Sequence, residues 1–413
     1  MSLVPTPPNI LLLNTYTQGG AGVACRRLQT ALQASGITAN LLTASDVGRR
    51  WPFYAERLSF VPFERDPSVR FAFSLANFGK NLSRHPLVRQ ADVLHLHWVN
   101  QGLLSLKNIH QLAQLGKPIV WTLHDMWAFT GGCHYSRGCE RFKQTCGQCP
   151  FLKHPAPNDL SNRVWHRKKA LFPKNIHFVT CSEWLAEVAR SSRLLKDYPV
   201  TAIPNPIDTA VFKPSTAAQR QTFRTERGIS PDAHVLLFAA MKISEERKGF
   251  RFLLEALQTL KAQCPDIRLE ILVLGKSETE TLAALPYPVH SLGLVSEQAK
   301  LVQAYGAADV FAIPSLEDNL PNTVMESLAC GTPVAGFATG GIPEMVGHLK
   351  EGFVAPQGDS QALATGLVEI LAGKSPLAAY REAARRKVEL EYTHEAVAKR
   401  YLKIYASAIP NNQ

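Results

Sequence analysis

The stretch that most constrains this chain is 311–346, whose sequence FAIPSLEDNLPNTVMESLACGTPVAGFATGGIPEMV predicts a strand, an acidic turn, a helix and a second strand. The apolar run from Val310 indicates a buried strand, and Pro314 ends it. Pro321 suits the first turn of a helix, where its missing N–H costs nothing, and Gly331 is placed to end that helix. Buried strands that alternate with helices predict a parallel α/β sheet.

Two acidic residues stand eight positions apart in this stretch, Asp318 before the predicted helix and Glu326 inside it. The N–H groups of a helix start lie between them and form a natural seat for a phosphate. Because carboxylates accept hydrogen bonds from hydroxyl pairs, a sugar or a ribose could be held on either side of that phosphate. The alternative is an ordinary strand–helix–strand unit whose acids are solvated.

The length and composition bound the architecture. The chain has 413 residues, of which 46% are hydrophobic and 19% charged, so it can form two domains of ordinary size. The sequence contains no run of 18 apolar residues that would span a membrane. The N-terminus lacks the basic region of a signal peptide, and a cytoplasmic protein is therefore expected.

Charge is unevenly distributed along the chain, whose formal net charge is +11. Residues 1–205 contain 24 Lys and Arg against 11 Asp and Glu, a net charge of +13, whereas the remainder has 21 against 23, a net charge of −2. A strongly basic half suggests a polyanionic partner, either nucleic acid or an anionic membrane leaflet. A generally basic, soluble protein is the alternative.

Residues 49–90 mix arginines with aromatic side chains, beginning at Arg49 and Trp51. This mixture suits a membrane interface. Single-stranded nucleic acid could use the same chemistry through stacking and phosphate contacts. A buried amphipathic insertion would give the same pattern.

Short apolar runs separated by helix-length segments recur in both halves of the chain, which is the rhythm of parallel β–α–β units. Strands are predicted at 9–13, 93–97, 119–123, 178–181, 202–203, 235–240, 269–274, 289–292, 310–314 and 334–337, and helices at 250–263, 296–307 and about 395–408. IPNPID at 203–208 contains two prolines and is a plausible hinge between the halves.

Two features of the first half fall at predicted strand ends. Gly19, Gly20 and Gly22 follow the first strand and form a turn before a helix, where the backbone could approach a phosphate. His124 follows the strand at 119–123, and ligands of open α/β sheets bind beyond the carboxyl ends of strands. A histidine at such a place can also be purely structural.

Four of the eight cysteines, Cys133, Cys139, Cys146 and Cys149, fall within 17 residues. In a reducing compartment this spacing predicts a structural, tetrahedral zinc site, in which His134 could replace one cysteine. A redox pair, disulfides or uncoordinated thiols are the alternatives.

Positive side chains follow the first strand of the second half, at Lys242, Arg247 and Lys248, and Gly249 comes next. At the carboxyl end of a strand they could stabilise a leaving diphosphate. Lysines at the surface are otherwise simply solvated.

Taken together, the glycine loop, the strand-end histidine, the IPN hinge, the lysine–glycine pair, the acidic pair and the GGIPE turn resemble the family-four retaining glycosyltransferases. The resemblance spans nearly the whole chain and implies the GT-B fold, an α/β architecture of two Rossmann-like, doubly wound parallel-sheet domains that face each other across a cleft. The acceptor-side domain is expected at 1–205 and is completed by a C-terminal helix at about 393–413. The nucleotide-sugar-binding domain is expected at 206–392.

The resemblance also implies roles for individual residues. Glu326 would hold the nucleotide ribose, while Asp318 and the backbone of Asn319 and Leu320 would hold the transferred sugar, which His124 would also face. Lys248 and Lys242, beside Arg247, would stabilise the diphosphate, and His124, Lys248 and Asp318 are the expected catalytic residues. The remaining donor contacts are expected at Gly19, Gly20, Leu294, Asn322 and Thr323.

The expected activity is transfer of a hexose, with retention and without a catalytic metal, from a UDP-sugar to a saccharide or lipid-linked saccharide. UDP-glucose is preferred on family prevalence, and exopolysaccharide or envelope glycan synthesis is the expected setting. Peripheral contact with the inner face of the cytoplasmic membrane would fit the basic half. The alternatives are an epimerase or hydrolase of the same fold and a non-enzymatic polyanion binder, although nucleic acid would not explain the acidic pair.

Overall fold

The computed structural model describes residues 7–48, 50–276, 279–373 and 375–409, and the chain divides into two compact units. Unit 1 extends to Pro206 and resumes at His394, and unit 2 is Ile207–Thr393. Both units are α/β.

The strands are β1 (Asn9–Asn14), β2 (Thr38–Thr43), β3 (Val93–Leu96), β4 (Ile119–Leu123), β5 (Ile176–Thr180), β6 (Val200–Ala202), β7 (His234–Lys242), β8 (Leu269–Lys276), β9 (Val289–Gly293), β10 (Val310–Ile313), β11 (Val334–Phe337) and β12 (Gly352–Ala355). The helices are α1 (Gly19–Ala34), α2 (Arg50–Phe60), α3 (Pro86–Gln90), α4 (Leu106–Ala113), α5 (Leu160–Leu171), α6 (Glu183–Ser191), α7 (Ala217–Glu226), α8 (Phe250–Gln263), α9 (Thr279–Ala283), α10 (Gln298–Ala307), α11 (Asn322–Ala329), α12 (Ile342–Met345), α13 (Ser360–Ala372), α14 (Leu377–Glu391) and α15 (His394–Ala408).

Each unit is built on a six-stranded parallel sheet. The strand order is β2-β1-β3-β4-β5-β6 in unit 1 and β12-β11-β10-β7-β8-β9 in unit 2. The strands on the two sides of β1 and β3 in unit 1, and of β7 and β10 in unit 2, are therefore added in opposite directions across the sheet. At such a switch point the connections leave in opposite directions, which opens a crevice at the carboxyl ends of the two strands.

The cores follow from the near-continuous apolar strands, which are buried on both faces as parallel strands are. In unit 1 one face of the sheet packs against α1 and α15, and Val397, Tyr401 and Tyr405 of α15 are buried there. In unit 2 the apolar face of α8, including Leu253 and Leu257, is buried in the core.

The strands and helices agree with the sequence-based expectations in most places. The expected helix at 250–263 and the strands at 119–123 and 334–337 have the predicted bounds. Two strands, β2 and β12, and most of the smaller helices were not predicted. Helix α1 begins at Gly19 itself, so Gly19 and Gly20 form its first turn instead of a loop before it.

Helix α2 lies in the basic and aromatic segment of unit 1, and large apolar side chains on one of its faces are exposed to solvent. Trp51, Tyr54 and Leu58 lie one turn apart along the same face, and they are 73%, 56% and 65% exposed. Its opposite face is fixed by Glu56, whose buried carboxylate accepts four backbone N–H groups from residues 75–78. The helix is therefore held firmly in an orientation that exposes its apolar side chains to solvent. Arg49 lies outside the described residues.

No single helix in the described part of the chain is long and apolar enough to cross a membrane. The pair α13 and α14, which is bent by 105°, passes the test when its two helices are taken together, on length and composition alone.

Candidate functional site

The switch point of unit 2 brings together residues that are 70 positions apart. Lys248 follows β7 and Asp318 follows β10, and Lys248 donates a hydrogen bond from Nζ to Oδ2 of Asp318 at 2.7 Å. Arg247 lies 3.5 Å from the same oxygen and donates to the carbonyl of Glu317 at 2.7 Å. Burial alone raises the pKa of Asp318, but the charges of Lys248 and Arg247 outweigh it and lower the pKa below the ordinary value. Asp318 is therefore ionised at neutral pH.

Two glycines allow the backbone to close around this pair. Gly249 has φ +69°, and a Cβ there would lie 1.9 Å from the carbonyl oxygen of Pro314. Gly340 has φ +55°, and a Cβ there would lie 1.6 Å from the carbonyl oxygen of Asp318. A side chain at either position would force β7, β10 and the GGIPE turn apart, since only glycine tolerates both the contact and the positive φ.

Helix α11 begins directly after the acidic turn. Pro321 is its N-cap residue and makes no side-chain cap hydrogen bond to the first N–H groups of the helix. Glu326 lies one turn into the helix and is 7% exposed, and Tyr305 at the end of α10 donates from its hydroxyl to Oε2 of Glu326 at 3.1 Å. The two oxygens of a carboxylate offer about four acceptor sites, so a carboxylate held in place by one hydroxyl can also accept hydrogen bonds from a ribose.

The other residues predicted for this site follow the same strands or begin the same helix. Lys242 ends β7 with an exposed side chain, and Leu294 follows β9 and is 60% exposed. Asn319 and Leu320 are buried in the acidic turn, and Asn319 accepts the N–H of Gly341 at 2.7 Å through its carbonyl oxygen. Asn322 and Thr323 form the first turn of α11.

Unit 1 has a second group of polar residues, at the carboxyl ends of β3, β4 and β5. His124 follows β4, and its Nε2 lies 2.9 Å from Nδ1 of His97, which follows β3. On its other side, Nδ1 of His124 lies 3.5 Å from the thiol of Cys181, and that thiol donates to Oδ1 of Asn205 at 3.2 Å. Burial lowers the pKa of His124 to about 4 and lowers that of His97 well below its ordinary value, so both rings are neutral at pH 7.

These contacts define one consistent set of tautomers. If the Cys181 thiol hydrogen points to Asn205, the sulfur accepts the Nδ1–H of His124, and Nε2 of His124 accepts the Nδ1–H of His97. Nε2 of His97 then remains buried without a partner among the described residues. Both ring nitrogens of His124 are thus engaged inside unit 1. This arrangement fixes the orientation of the ring, which the sequence predicts to face the transferred sugar.

A third polar group surrounds the histidine next to the cysteines. His134 lies 2.6 Å from Oδ2 of Asp125 and 2.9 Å from the hydroxyl of Ser74. Asp125 also accepts from the indole N–H of Trp98 at 2.8 Å. Through its two ring nitrogens, His134 therefore connects the cysteine-containing segment to Asp125 at the end of β4 and to Ser74.

The four clustered cysteines line one small cavity. Cys146 packs into the main core of unit 1, and Cys149 packs into a smaller cluster with Phe60 and Phe73. Burial raises the pKa of Cys146 to about 11 and that of Cys149 to about 12. Within the described residues, no three His, Cys, Asp or Glu side chains form a group that could hold a metal ion. All four are free cysteines in this structure, and the zinc site at Cys133, Cys139, Cys146 and Cys149 stays a prediction.

Sequence reasoning missed the residues that support the predicted ones. Tyr305, His97 and Cys181 each contact a predicted residue from a distant part of the chain. His97 and Cys181 follow apolar strands, as His124 does, and this shared position is a signal that could have identified them. Tyr305 lies inside a helix, and its sequence position carries no such signal.

The comparisons with known proteins agree with this fold. A family model described as Glycosyltransferase Family 4 matches residues 18–211, and one described as Glycosyl transferases group 1 matches residues 233–373. Among solved structures, the chain is similar to a glycosyltransferase from Rickettsia africae, with a TM-score of 0.71, 16% identity and coverage of 98% of this chain and 100% of that one. It is also similar to Anabaena HepE in complex with UDP and glucose, with a TM-score of 0.63, 17% identity and coverage of 97% and 100%. At these identities the similarity shows the fold alone.

Curated relatives match with low identity and differ in what their names say they use. The putative colanic acid biosynthesis glycosyl transferase WcaC of Escherichia coli is 28% identical over 60% of this chain, which spans 59% of that relative. A D-inositol 3-phosphate glycosyltransferase of Corynebacterium urealyticum is 25% identical over 95% of this chain and 92% of its own length. A GDP-mannose-dependent mannosyltransferase of Corynebacterium glutamicum, named for a monoacylated phosphatidylinositol monomannoside, is 29% identical over 50% of this chain and 55% of its own length.

Proposed function

The chain belongs to the family-four glycosyltransferases with the GT-B fold, and from this premise we propose that it transfers a hexose, with retention, from a UDP-sugar to a saccharide or lipid-linked saccharide. The observation that carries the proposal is the arrangement of Asp318, Lys248 and Glu326 around the start of α11 at the switch point of unit 2. It combines a cation, two hydroxyl acceptors and helix-start N–H groups in one crevice. These are the groups that a nucleotide sugar requires.

The donor would use these groups in a fixed order. The ribose hydroxyls donate to Glu326, which Tyr305 holds in place. The diphosphate takes the positive charge of Lys248, with Arg247 and Lys242 beside it, and the first N–H groups of α11. Asp318 and the backbone of Asn319 accept from the transferred hexose. Leu294, at the end of β9, contacts the base through its backbone.

Catalysis would depend chiefly on stabilising the departing diphosphate. Negative charge on the leaving group grows in the transition state, so fixed cations lower the barrier more than they strengthen ground-state binding. Lys248 therefore supplies a charge that a metal ion supplies in other transferases, and the enzyme needs no catalytic metal. Departure and attack on the same face of the sugar give retention, and the departing phosphate accepts the proton of the acceptor hydroxyl.

Unit 1 would contribute the acceptor side and a peripheral contact with the inner face of the cytoplasmic membrane. Its net charge is strongly positive, and α2 presents Trp51, Tyr54 and Leu58 to solvent. Aromatic and apolar side chains with arginines beside them suit the headgroup region of an anionic membrane. A lipid-linked acceptor for polysaccharide synthesis would be reached at that surface.

Titration calorimetry with UDP, GDP, UDP-glucose and GDP-mannose tests the donor. We expect UDP to bind more tightly than GDP and the Glu326→Ala variant to lose UDP affinity. Tighter binding of GDP or GDP-mannose by the unmodified protein would overturn the UDP assignment but leave the transferase assignment intact. Equal binding to random DNA without affinity for any nucleotide would instead favour a polyanion binder.

Product analysis then tests the reaction. The unmodified protein is incubated with UDP-glucose, with and without lipid-linked saccharide acceptors, and the anomeric configuration of the product is read by NMR. We expect an α-linked product that forms only with acceptor and an unchanged rate in EDTA. Release of UDP or epimerised sugar without acceptor would favour the epimerase or hydrolase alternative, and an inverted product would overturn retention.

A further inference from the structure

Unit 2 has an open cavity near the amino-terminal ends of the sheet strands, whereas the proposed donor site lies at their carboxyl ends. It lies beside α7, α14 and the turn that ends α11, and its charged lining residues are Arg220, Arg381, Glu382, Arg385, Arg386 and Glu389. Asp309 lies behind this lining and immediately precedes β10, whereas Asp318 follows β10. The two sites are therefore at opposite ends of the same strand.

The cavity concentrates positive charge in a unit whose net charge is negative. Residues 207–393 contain 18 Lys and Arg against 22 Asp and Glu, a net charge of −4. The lining residues together with Arg224 and Asp309 comprise five arginines against three acids, a local charge of +2. A general excess of basic residues therefore does not explain the cluster.

The inner wall is a group of guanidinium ions around one carboxylate. Arg224 and Arg381 donate to Asp309 at 2.8 and 2.9 Å, and Arg220 approaches it at 3.4 Å. The single carboxylate of Asp309 is 4% exposed and cannot neutralise three guanidinium ions. The Nε of Arg220 is buried and has no hydrogen-bond partner among the described residues. Burial and the charge of neighbouring arginines lower the pKa of Arg381 to about 10, as expected where like charges are incompletely balanced.

The outer wall is rigid. Arg385 donates to the carbonyl oxygens of Phe212 and Ala329, each at 2.8 Å, and pairs with Glu389 at 2.7 Å. The charge of Glu389 is therefore already compensated, and Arg385 serves as a fixed part of the wall. Arg386 is exposed at the rim.

We propose that this cavity is a binding site for an anion that bears a phosphate group, distinct from the donor site. The planar guanidinium group binds phosphate oxygens in pairs, and several guanidinium ions held by a rigid wall lose little conformational entropy on binding. An anion would supply the negative charge that the inner wall lacks. The proposal does not depend on the identity of the donor or the acceptor.

Calorimetric titration with inorganic phosphate at low ionic strength tests the site. The full chain carrying Lys248→Ala is the parent, since this change weakens phosphate binding at the donor site. The cavity variant adds Arg220→Gln and Arg386→Gln, and its matched control adds Arg251→Gln and Arg268→Gln, two exposed arginines of the same unit. Both variants remove two positive charges from unit 2. We expect the cavity variant to lose phosphate affinity by about tenfold or more, and the control to stay within about twofold of the parent.

Two outcomes would overturn the proposal. One is an equal loss of affinity in both variants, which would mean diffuse attraction by surface charge. The other is a parent that shows no saturable phosphate binding. If the cavity variant does not fold, Arg386→Gln alone decides the question, because this exposed side chain has no part in the core, and an affinity unchanged from the parent would again reject the site.

Discussion

Lys248 and Asp318 form an ion pair at 2.7 Å in a site where each is expected to bind a different part of the donor. The contact exists because β7 and β10 are adjacent parallel strands, so that the residues that follow them meet. In this structure the carboxylate of Asp318, which is expected to bind the sugar, neutralises the ammonium of Lys248, which is expected to bind the diphosphate. A donor that binds must therefore share Lys248 with Asp318. The pair keeps both side chains in place, and ordering them costs the donor little binding energy.

The first prediction concerns Lys248. Lys248→Ala should lower kcat by about 100- to 1,000-fold, because it removes a fixed charge from the leaving diphosphate. UDP affinity should fall far less, since the diphosphate is more negative in the transition state. Steady-state kinetics with UDP-glucose measure kcat, and Lys300→Ala, an exposed lysine of the same unit, is the control. Activity retained within threefold would place the stabilising charge elsewhere.

The second prediction compares the loss of Glu326 with the loss of the Tyr305 hydroxyl that holds it in place. Glu326→Ala should weaken UDP binding by at least about tenfold, because two charge-assisted hydrogen bonds to the ribose are lost. Tyr305→Phe removes only the hydroxyl that positions Glu326 and should weaken UDP binding by about fivefold or less. Calorimetry with UDP measures both. If UDP binds a folded Glu326→Ala variant as tightly as the unmodified protein, the ribose is held by another residue.

The third prediction concerns the ring of His124. His97→Phe removes the partner of Nε2 and should lower kcat by about fivefold to tenfold, with UDP affinity unchanged. His97 thus acts as a positioning residue, and the split between kcat and UDP affinity distinguishes that role from general destabilisation. His177→Phe, which removes another partly buried histidine of unit 1, is the matched control. A parallel fall in kcat in both variants would contradict the specific role of His97.

The fourth prediction concerns the exposed face of α2. The double variant Trp51→Ser, Leu58→Ser should lose flotation with anionic vesicles, and salt should release the unmodified protein because the attraction is screened over about 10 Å at 0.1 M. Leu349→Ser, Leu390→Ser removes two exposed apolar side chains from unit 2 and should float normally. Arg70 is unsuitable for this test, since it is paired with the buried Glu64 and its removal would destabilise the fold. Flotation that survives in the α2 variant would indicate that this face does not bind membranes.

The fifth prediction is a pH dependence of stability. Lys168 is fully buried, with its ammonium over the ring of Trp127, and burial lowers its pKa to about 7 from 10.5. Because the folded pKa is the lower one, the cost of burying the charge is complete below pH 7 and disappears as the pH rises towards 10.5. The free energy of unfolding should therefore rise with pH, relative to Lys168→Met, by up to about 1.4 kcal/mol per unit.

Urea unfolding followed by tryptophan fluorescence measures this slope. All six tryptophans lie in residues 1–206, so the signal reports unit 1 alone. Parallel pH profiles for the unmodified protein and Lys168→Met would show that Lys168 keeps its ordinary pKa.

Local signals in the sequence were sufficient to predict the α/β fold class and the acidic motif. Short apolar runs such as 119–123 and 334–337, bounded by turn residues, predicted buried strands, and proline and glycine marked the ends of α11. The strands that escaped prediction, β2 and β12, are short or mix polar with apolar residues. The eight-residue spacing from Asp318 to Glu326 likewise lies within one turn and one helix, so the chain specifies it without tertiary contacts.

Tertiary structure alone decided which side chains meet. The pairing of Lys248 with Asp318, of Tyr305 with Glu326, and of His97 and Cys181 with His124 joins residues that are 21 to 70 positions apart. Each pairing depends on strand order and helix packing, which spacing along the chain does not encode. The cysteines show the same limit, since their spacing predicted that they would cluster, whereas only tertiary packing shows which cavity they line and which of them, Cys146 and Cys149, are buried. Strand order is set by the summed burial of the whole sheet, and for that reason local sequence could predict the elements of the site but not its contacts.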